Sequence, residues 1–346
     1  MEPMRPYDAF LLISFGGPEA VDDVIPFLEN VTRGRGIPRE RLAEVGEHYY
    51  LFDGVSPINQ QCRDLIEAIR ADFAANGVDL PVYWGNRFWE PMLGDTVARM
   101  AKDGVRRAVA LSTSAYCSYS SHRAYLDDIA KARAAVGPDA PEIELIRPFF
   151  DHPGFIEPLV EYARAALDRL PEGERAGARL LFSAHSIPTA MAEASGDPEQ
   201  GYGPGGAYAA QLAEVARLVT ERLGGGHDYE LVYQSRSGPP SQPWLEPDIN
   251  DRLEELAAEG VTAVVTVPHG FVSDHMEVKY DLDHEAVATA RRLGIAFERA
   301  LSPGTHPKFV AMARELVTER ATGAERVGLS DLPGCPEGSA TCCAPR

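Results

Sequence analysis

Eight short apolar runs, separated by longer stretches of helical periodicity, constrain this chain more than any other feature. They are Ala9–Phe15, Pro81–Phe88, Arg107–Ala115, Ile143–Phe149, Ala178–His185, Tyr229–Arg236, Ala263–His269 and Ala296–Ala300. Runs of this length, bounded by turn residues, suit strands buried on both faces, as parallel sheets require. Between them, Ile58, Cys62, Leu65, Ile66, Ile69 and Phe73 fall at i, i+4, i+7, i+8, i+11 and i+15, one face of a helix. Cys62 is therefore a core residue. Regular alternation of strand and helix predicts an α/β fold with mostly parallel sheets. Four runs precede residue 150 and four follow, in a chain of 346 residues that is long for a single core. We expect two similar halves, 1–150 and 151–321, joined near Asp151–Gly154 (DHPG), then a Cys-containing tail, 322–346. No residue-level repeat accompanies this duplication.

Charge and cysteine usage narrow the function. The formal net charge is −19, from 33 basic and 52 acidic side chains. Such a surface repels nucleic acid and anionic membranes. No apolar run approaches the roughly 18 residues that span a bilayer, and the first apolar stretch suits a strand better than a signal peptide. The expected compartment is the cytoplasm. Three of the five cysteines, Cys335, Cys342 and Cys343, crowd into the last twelve residues. Clustered thiols in a cytosolic chain point to metal or redox chemistry rather than to a disulfide framework.

Ser273–Glu285, SDHMEVKYDLDHE, places Glu277, Asp281 and Glu285 at i, i+4 and i+8. On a helix these acids form one stripe, and like charges so spaced destabilise it by a few tenths of a kcal/mol per pair. The stripe begins just past the Ala263–His269 run, where open α/β sheets bind ligands. A cation is one reading; a solvated acidic face is the other. His185 ends the run ARLLFSAH, where a histidine can act as base or metal ligand, or merely close the strand. In a parallel sheet His185 and Glu277 would face the same crevice. A neutral imidazole opposite a carboxylate suits Fe²⁺ and proton abstraction near neutral pH.

Other segments are less pointed. Ser56 and Pro57 read as a helix start with Ser56 as N-cap, a place that also suits a substrate anion. Thr113–Tyr125 (TSAYCSYSSHRAY) is dense in hydroxyls and aromatics after a strand, which suits a pocket for a flat, polar-edged ligand. Gly196–Gly206 reads as a loop. The chain has no GxxxxGK[ST], GxSxG or HExxH, and Asp281–Glu285 lacks the glycine of a calcium loop.

Six blocks in order carry a resemblance: SFGGPE (Ser14–Glu19), FLENVTRGRG (Phe27–Gly36), GVSPIN (Gly54–Asn59), FSAHSIP (Phe182–Pro188), YQSRSGPPSQPWLEP (Tyr233–Pro247) and GFVSDHMEVKYDLDHE (Gly270–Glu285). The chain resembles the ferrochelatases from its first strand to about residue 320. The FLENVTRGRG wording and tail cysteines resemble the actinobacterial, coproporphyrin III type. The resemblance implies two Rossmann-like domains with an active-site cleft between them. It also implies insertion of Fe²⁺ into coproporphyrin III on the way to haem b, a lyase reaction. His185 matches the family's catalytic histidine, a proton acceptor and metal ligand, and Glu277 its acidic partner. Asp281 and Glu285 match an acidic line on a helix with a π-type distortion. Ser56 and Tyr125 match porphyrin contacts, and Trp244, Asp274 and His275 match pocket positions. Phe15 stands where some bacterial members carry a tyrosine, and Thr32 and His48 where they carry arginines.

Three tail thiols are one short of the four that a [2Fe–2S] centre takes. Cys117, at the end of the Arg107–Ala115 run, is the best-placed fourth, and C-terminal cysteines hold such a cluster in several family members. Adjacent Cys342 and Cys343 would need a sharp backbone turn. A zinc site or an unliganded reduced tail is the alternative. For the whole protein, the alternatives are a protoporphyrin IX or other tetrapyrrole chelatase and, from another class, a non-catalytic haem or metal carrier. The expected partner is the porphyrin alone, and a monomer is compatible with the sequence.

Overall fold

The computed structural model describes residues 7–239, 241–335, 342 and 343. The expected apolar runs form eight strands: β1 Ala9–Ser14, β2 Val82–Asn86, β3 Arg107–Ser112, β4 Glu142–Leu145, β5 Arg179–His185, β6 Tyr229–Gln234, β7 Ala263–Val267 and β8 Ala296–Arg299. They make two four-stranded parallel sheets, ordered β2-β1-β3-β4 and β6-β5-β7-β8. The two orders are the same, so the halves repeat one α/β topology without repeating sequence.

Several runs stop short of their expected ends because the chain leaves the sheet at its C-terminal edge. β6 ends at Gln234, and Ser235 turns out of it with φ 62°. β3 ends at Ser112 rather than Ala115. The Ile58–Ala75 helix buries Ile58, Cys62, Leu65, Ile66, Ile69 and Phe73, the face read from spacing. β1, β3 and Leu93, Val97 and Met100 of the Leu93–Lys102 helix build one core with Tyr125 and Ile129. Leu181, Val232 and Val264 of the second sheet build another with Leu253, Leu256, Val278 and Leu282.

The chain divides into two compact units, less simply than at one junction. The first holds Met1–Thr113, Tyr125–Ile146 and Ala313–Glu325; the second holds Ser114–Ala124, Arg147–Met312 and Arg326–Arg346. The sequence places the junction at 150/151 and cannot see that Ser114–Ala124 joins the second half. In that half Tyr116 donates to the His269 carbonyl at 2.8 Å, and the Cys117 amide donates to Gln211 Oε1 at 2.8 Å. Asp151, read as part of a linker, is fully buried and paired to Arg326 at 2.8 Å. Among the described residues no helix is long and apolar enough to cross a membrane.

Candidate active site

In the second sheet the strand order reverses between β5 and β7, and open α/β sheets bind ligands outside the strand ends at such a point. His185 is the last residue of β5, and Glu277 follows β7 by ten residues. Gly270 lets the Glu277-bearing loop come close: a Cβ there would lie 2.6 Å from the Ala184 Cβ, and its amide donates to the Ser183 carbonyl at 3.1 Å. His185 Nε2 lies 3.7 Å from Glu277 Oε1, and His275 Nδ1 lies 4.0 Å from Glu277 Oε2. His185 Nδ1 points at the Ser186 carbonyl, so it carries the proton there. Tyr208 steadies the strand end by donating to the His185 carbonyl at 2.9 Å.

Electrostatics make this an ion pair. Burial opposes a charge on His185, but the Glu277 carboxylate and the Ser186 carbonyl outweigh it and raise the pKa to about 9. Burial likewise opposes ionisation of Glu277, yet His185 pulls its pKa down to about 2. Sequence reasoning expects a neutral imidazole; the adjacent carboxylate holds it protonated at neutral pH. His275 moves the other way, its pKa lowered chiefly by burial.

The acidic stripe continues along a π-helix, Lys279–Ala286. In an α-helix four residues overshoot one turn by about 40°, so an i, i+4, i+8 stripe drifts sideways. Wider π turns swing it back. Asp281 accepts hydrogen bonds from the Ser235 hydroxyl and, at 3.2 Å, from Gln234 Nε2. Burial and the flanking Glu277 and Glu285 charges push its pKa up to about 7 against the Ser235 hydroxyl and the His185 charge. Glu285 is exposed. Arg299 fixes the other side of this segment, pairing with Asp283 and with Asp274 at 3.1 Å. Gln234, Ser235 and Tyr208 are the residues sequence reasoning missed. Gln234 ends β6 and Ser235 follows it, both inside a quoted motif, so strand-end logic would have found them; Tyr208 carries no such signal.

Trp244 is half-buried in a loop latched to the end of β5. The Leu245 amide donates to the Ile187 carbonyl and the Thr189 amide to the Pro243 carbonyl, both at 3.0 Å. Ser56 and Tyr125 lie in the first unit, both buried. Ser56 is not an N-cap: the helix starts at Ile58 with no side-chain cap bond. Ser56 instead packs on Gly17, where a Cβ would lie 2.7 Å from the Ser56 Cβ, and its amide donates to the Pro18 carbonyl at 2.8 Å. The Arg87 guanidinium sits 4.8 Å over the Tyr125 ring and pairs with Asp128 at 2.7 Å.

All four cysteines singled out from sequence meet in one buried cluster of the second unit. Cys335, Cys342 and Cys343 have sulfurs mutually within 4.8 Å. Cys117 is paired sulfur to sulfur with Cys335 across 218 residues of sequence. Cys343 supplies the required sharp turn, with φ 57°. A hydrogen bond from the Cys342 thiol lowers the Cys343 pKa, so Cys343 is the readier thiolate of the two. Once the Cys117–Cys335 pair is reduced, this donor set fits a four-thiolate metal centre.

A profile of the ferrochelatase family matches residues 7–321. The chain is 57% identical over 328 residues to a coproporphyrin III ferrochelatase of Streptomyces coelicolor, covering 93% of this chain and 87% of that protein. It is 53% identical over 345 residues to one of Nocardia farcinica, covering 98% and 97%. Among solved structures, SirB from Bacillus subtilis with Fe³⁺ aligns with TM-score 0.54 over 93% of this chain and 99% of that one. At 12% identity that likeness speaks for the fold alone. The chain belongs to the ferrochelatase family.

Proposed function

We propose that this protein is a lyase inserting Fe²⁺ into coproporphyrin III, with loss of the two pyrrole N–H protons, in haem b synthesis. The substrate follows from the relatives' names. The chemistry rests on one observation: a half-open His185–Glu277 pair at the topological switch point, with acids leading away from it. Glu277, Asp281 and Glu285 act as a line of oxygen ligands for the incoming dication, lowering its dehydration cost stepwise. The dication also weakens the hold of Glu277 on the His185 proton. That proton departs to solvent, and the neutral imidazole then accepts the two macrocycle protons in turn, releasing the first to solvent before it takes the second. Ser56 and Tyr125 act as porphyrin contacts.

The four cysteines hold a [2Fe–2S] cluster with a structural role, since metallation transfers no net electrons. A cluster on four thiolates suits the reducing cytoplasm. The test is turnover with Fe²⁺ and metal-free porphyrin under anaerobic conditions, alongside iron, sulfide and zinc analysis. Multiple turnovers, faster with coproporphyrin III than with protoporphyrin IX, and close to two irons and two sulfides per chain are expected. Stoichiometric binding without turnover would make it a carrier, and tenfold faster use of protoporphyrin IX would reverse the substrate assignment. Zinc without sulfide would replace the cluster by a structural zinc site.

A further inference from the structure

Gln211, in the Gly206–Leu223 helix, is fully buried and spends its amide on Cys117 and the tail that carries Cys335. Its Oε1 accepts from the Cys117 amide at 2.8 Å. Its Nε2 donates to Cys117 Sγ at 3.2 Å and to the Pro333 carbonyl at 3.4 Å. One side chain thus ties Cys117, in the loop after β3, to the tail two residues before Cys335. Two backbone amides also reach the sulfurs: Cys335 to Cys117 Sγ at 3.0 Å and Gly196 to Cys343 Sγ at 3.3 Å. N–H groups aimed at sulfur stabilise thiolate over thiol, and a buried amide with no other task is costly unless those bonds are made.

We propose that Gln211 is the positioning residue of the four-cysteine centre, holding the Cys117 backbone and sulfur in place and registering the tail against them. The proposal rests on the four-thiolate reading but not on which metal fills it. Outer-shell partners of metal ligands are worth about 10–100-fold in affinity, and hydrogen bonds to sulfur tune the electronics of such centres.

The probe is Co²⁺ alone, titrated into metal-free, thiol-reduced, full-length protein under anaerobic conditions and followed by sulfur-to-cobalt charge-transfer absorption. Wild type should give a tetrathiolate band at one Co²⁺ per chain. Gln211→Met keeps the side-chain volume; it should bind about 10–100-fold more weakly, with its band moved to lower energy because a sulfur has lost its hydrogen bond. Gln211→Glu keeps the acceptor for the Cys117 amide and loses both donors, so it should show the same band shift. It decides the matter if the Met variant misfolds. Variants matching wild type in affinity and band position would remove Gln211 from the centre while leaving the four-thiolate reading intact. Folded wild type without the band would overturn that reading and this proposal together.

Discussion

At the scale of single residues, the decisive quantity is the proton on His185. Its pKa of about 9 is imposed by Glu277 against burial. Removing the carboxylate leaves burial opposed by the weaker pulls of the Ser186 carbonyl and Asp281, so in Glu277→Gln the value should fall well below about 9. Histidine NMR titration of the metal-free protein reads this directly; an unchanged midpoint would detach Glu277 from His185. The linkage has a definite sign. A raised histidine pKa stabilises the fold fully below 6.5 and loses that effect as pH rises through about 9. A lowered Glu277 pKa stabilises fully above 4.5 and loses it as pH falls through about 2. The pair therefore stabilises most between those ordinary values. With side chains 33% and 45% exposed, its worth is about 1 kcal/mol or less. His185→Ala should then abolish metal insertion while leaving porphyrin binding and Tm nearly intact. A variant that kept turnover would take His185 out of the mechanism.

At the scale of elements, the π-helix trades stability for function. Asp281 carries a pKa raised to about 7, so the fold prefers it protonated. Its contribution is present below 3.8 and is lost as pH rises through about 7, so the ionised form strains the helix at pH 8. Asp281→Asn should raise Tm by a few degrees at pH 8, with no gain at pH 4, while slowing metallation less than Glu277→Gln does. Equal Tm at both pH values would mean that the stripe is simply solvated. The stripe itself is legible in the sequence, since i, i+4, i+8 acids just past an apolar strand run need no structure to be seen. Its π geometry entered only through family resemblance, because hydrogen-bond register leaves no mark in apolar spacing. The strands were legible for the opposite reason: a strand buried on both faces must be apolar throughout. Where runs were read too long, as at Thr113–Ala115, apolar or hydroxyl residues continue past the sheet into buried loop. Ser56 was misread as a cap because an Ser-Pro step looks the same whether its hydroxyl meets a helix end or packs on Gly17.

At the scale of the whole molecule, the long-range order of the second unit depends on where its tail is pinned. Composition could suggest that Cys117 joins the tail cysteines; it could not show the anchor, because Asp151 sits in what reads as a linker. Asp151 is fully buried, and its Oδ1 accepts no hydrogen bond among the described residues. Arg326 at 2.8 Å is its close partner, with Arg147 more distant at 3.7 Å. The Leu329 amide donates to the Asp151 carbonyl at 2.9 Å, and a Cβ on Gly328 would lie 2.3 Å from Asp151 Oδ2. From there the chain runs to Pro333 and Cys335, so this pair sets the register in which the thiols arrive. Breaking a buried ion pair from one side leaves a stranded charge, at about 3–5 kcal/mol. Arg326 is a third exposed, and Arg147 shares the load, so Arg326→Met should cost about 2 kcal/mol or less. Asp151→Asn in the same chain should return much of that loss, because no stranded carboxylate remains. The metal content of Arg326→Met should fall together with its stability, since the tail loses its register. Denaturation of the two single variants and the double variant, with metal analysis of each, closes the cycle. Additive losses with unchanged metal content would show that the tail finds the cysteine cluster without this anchor.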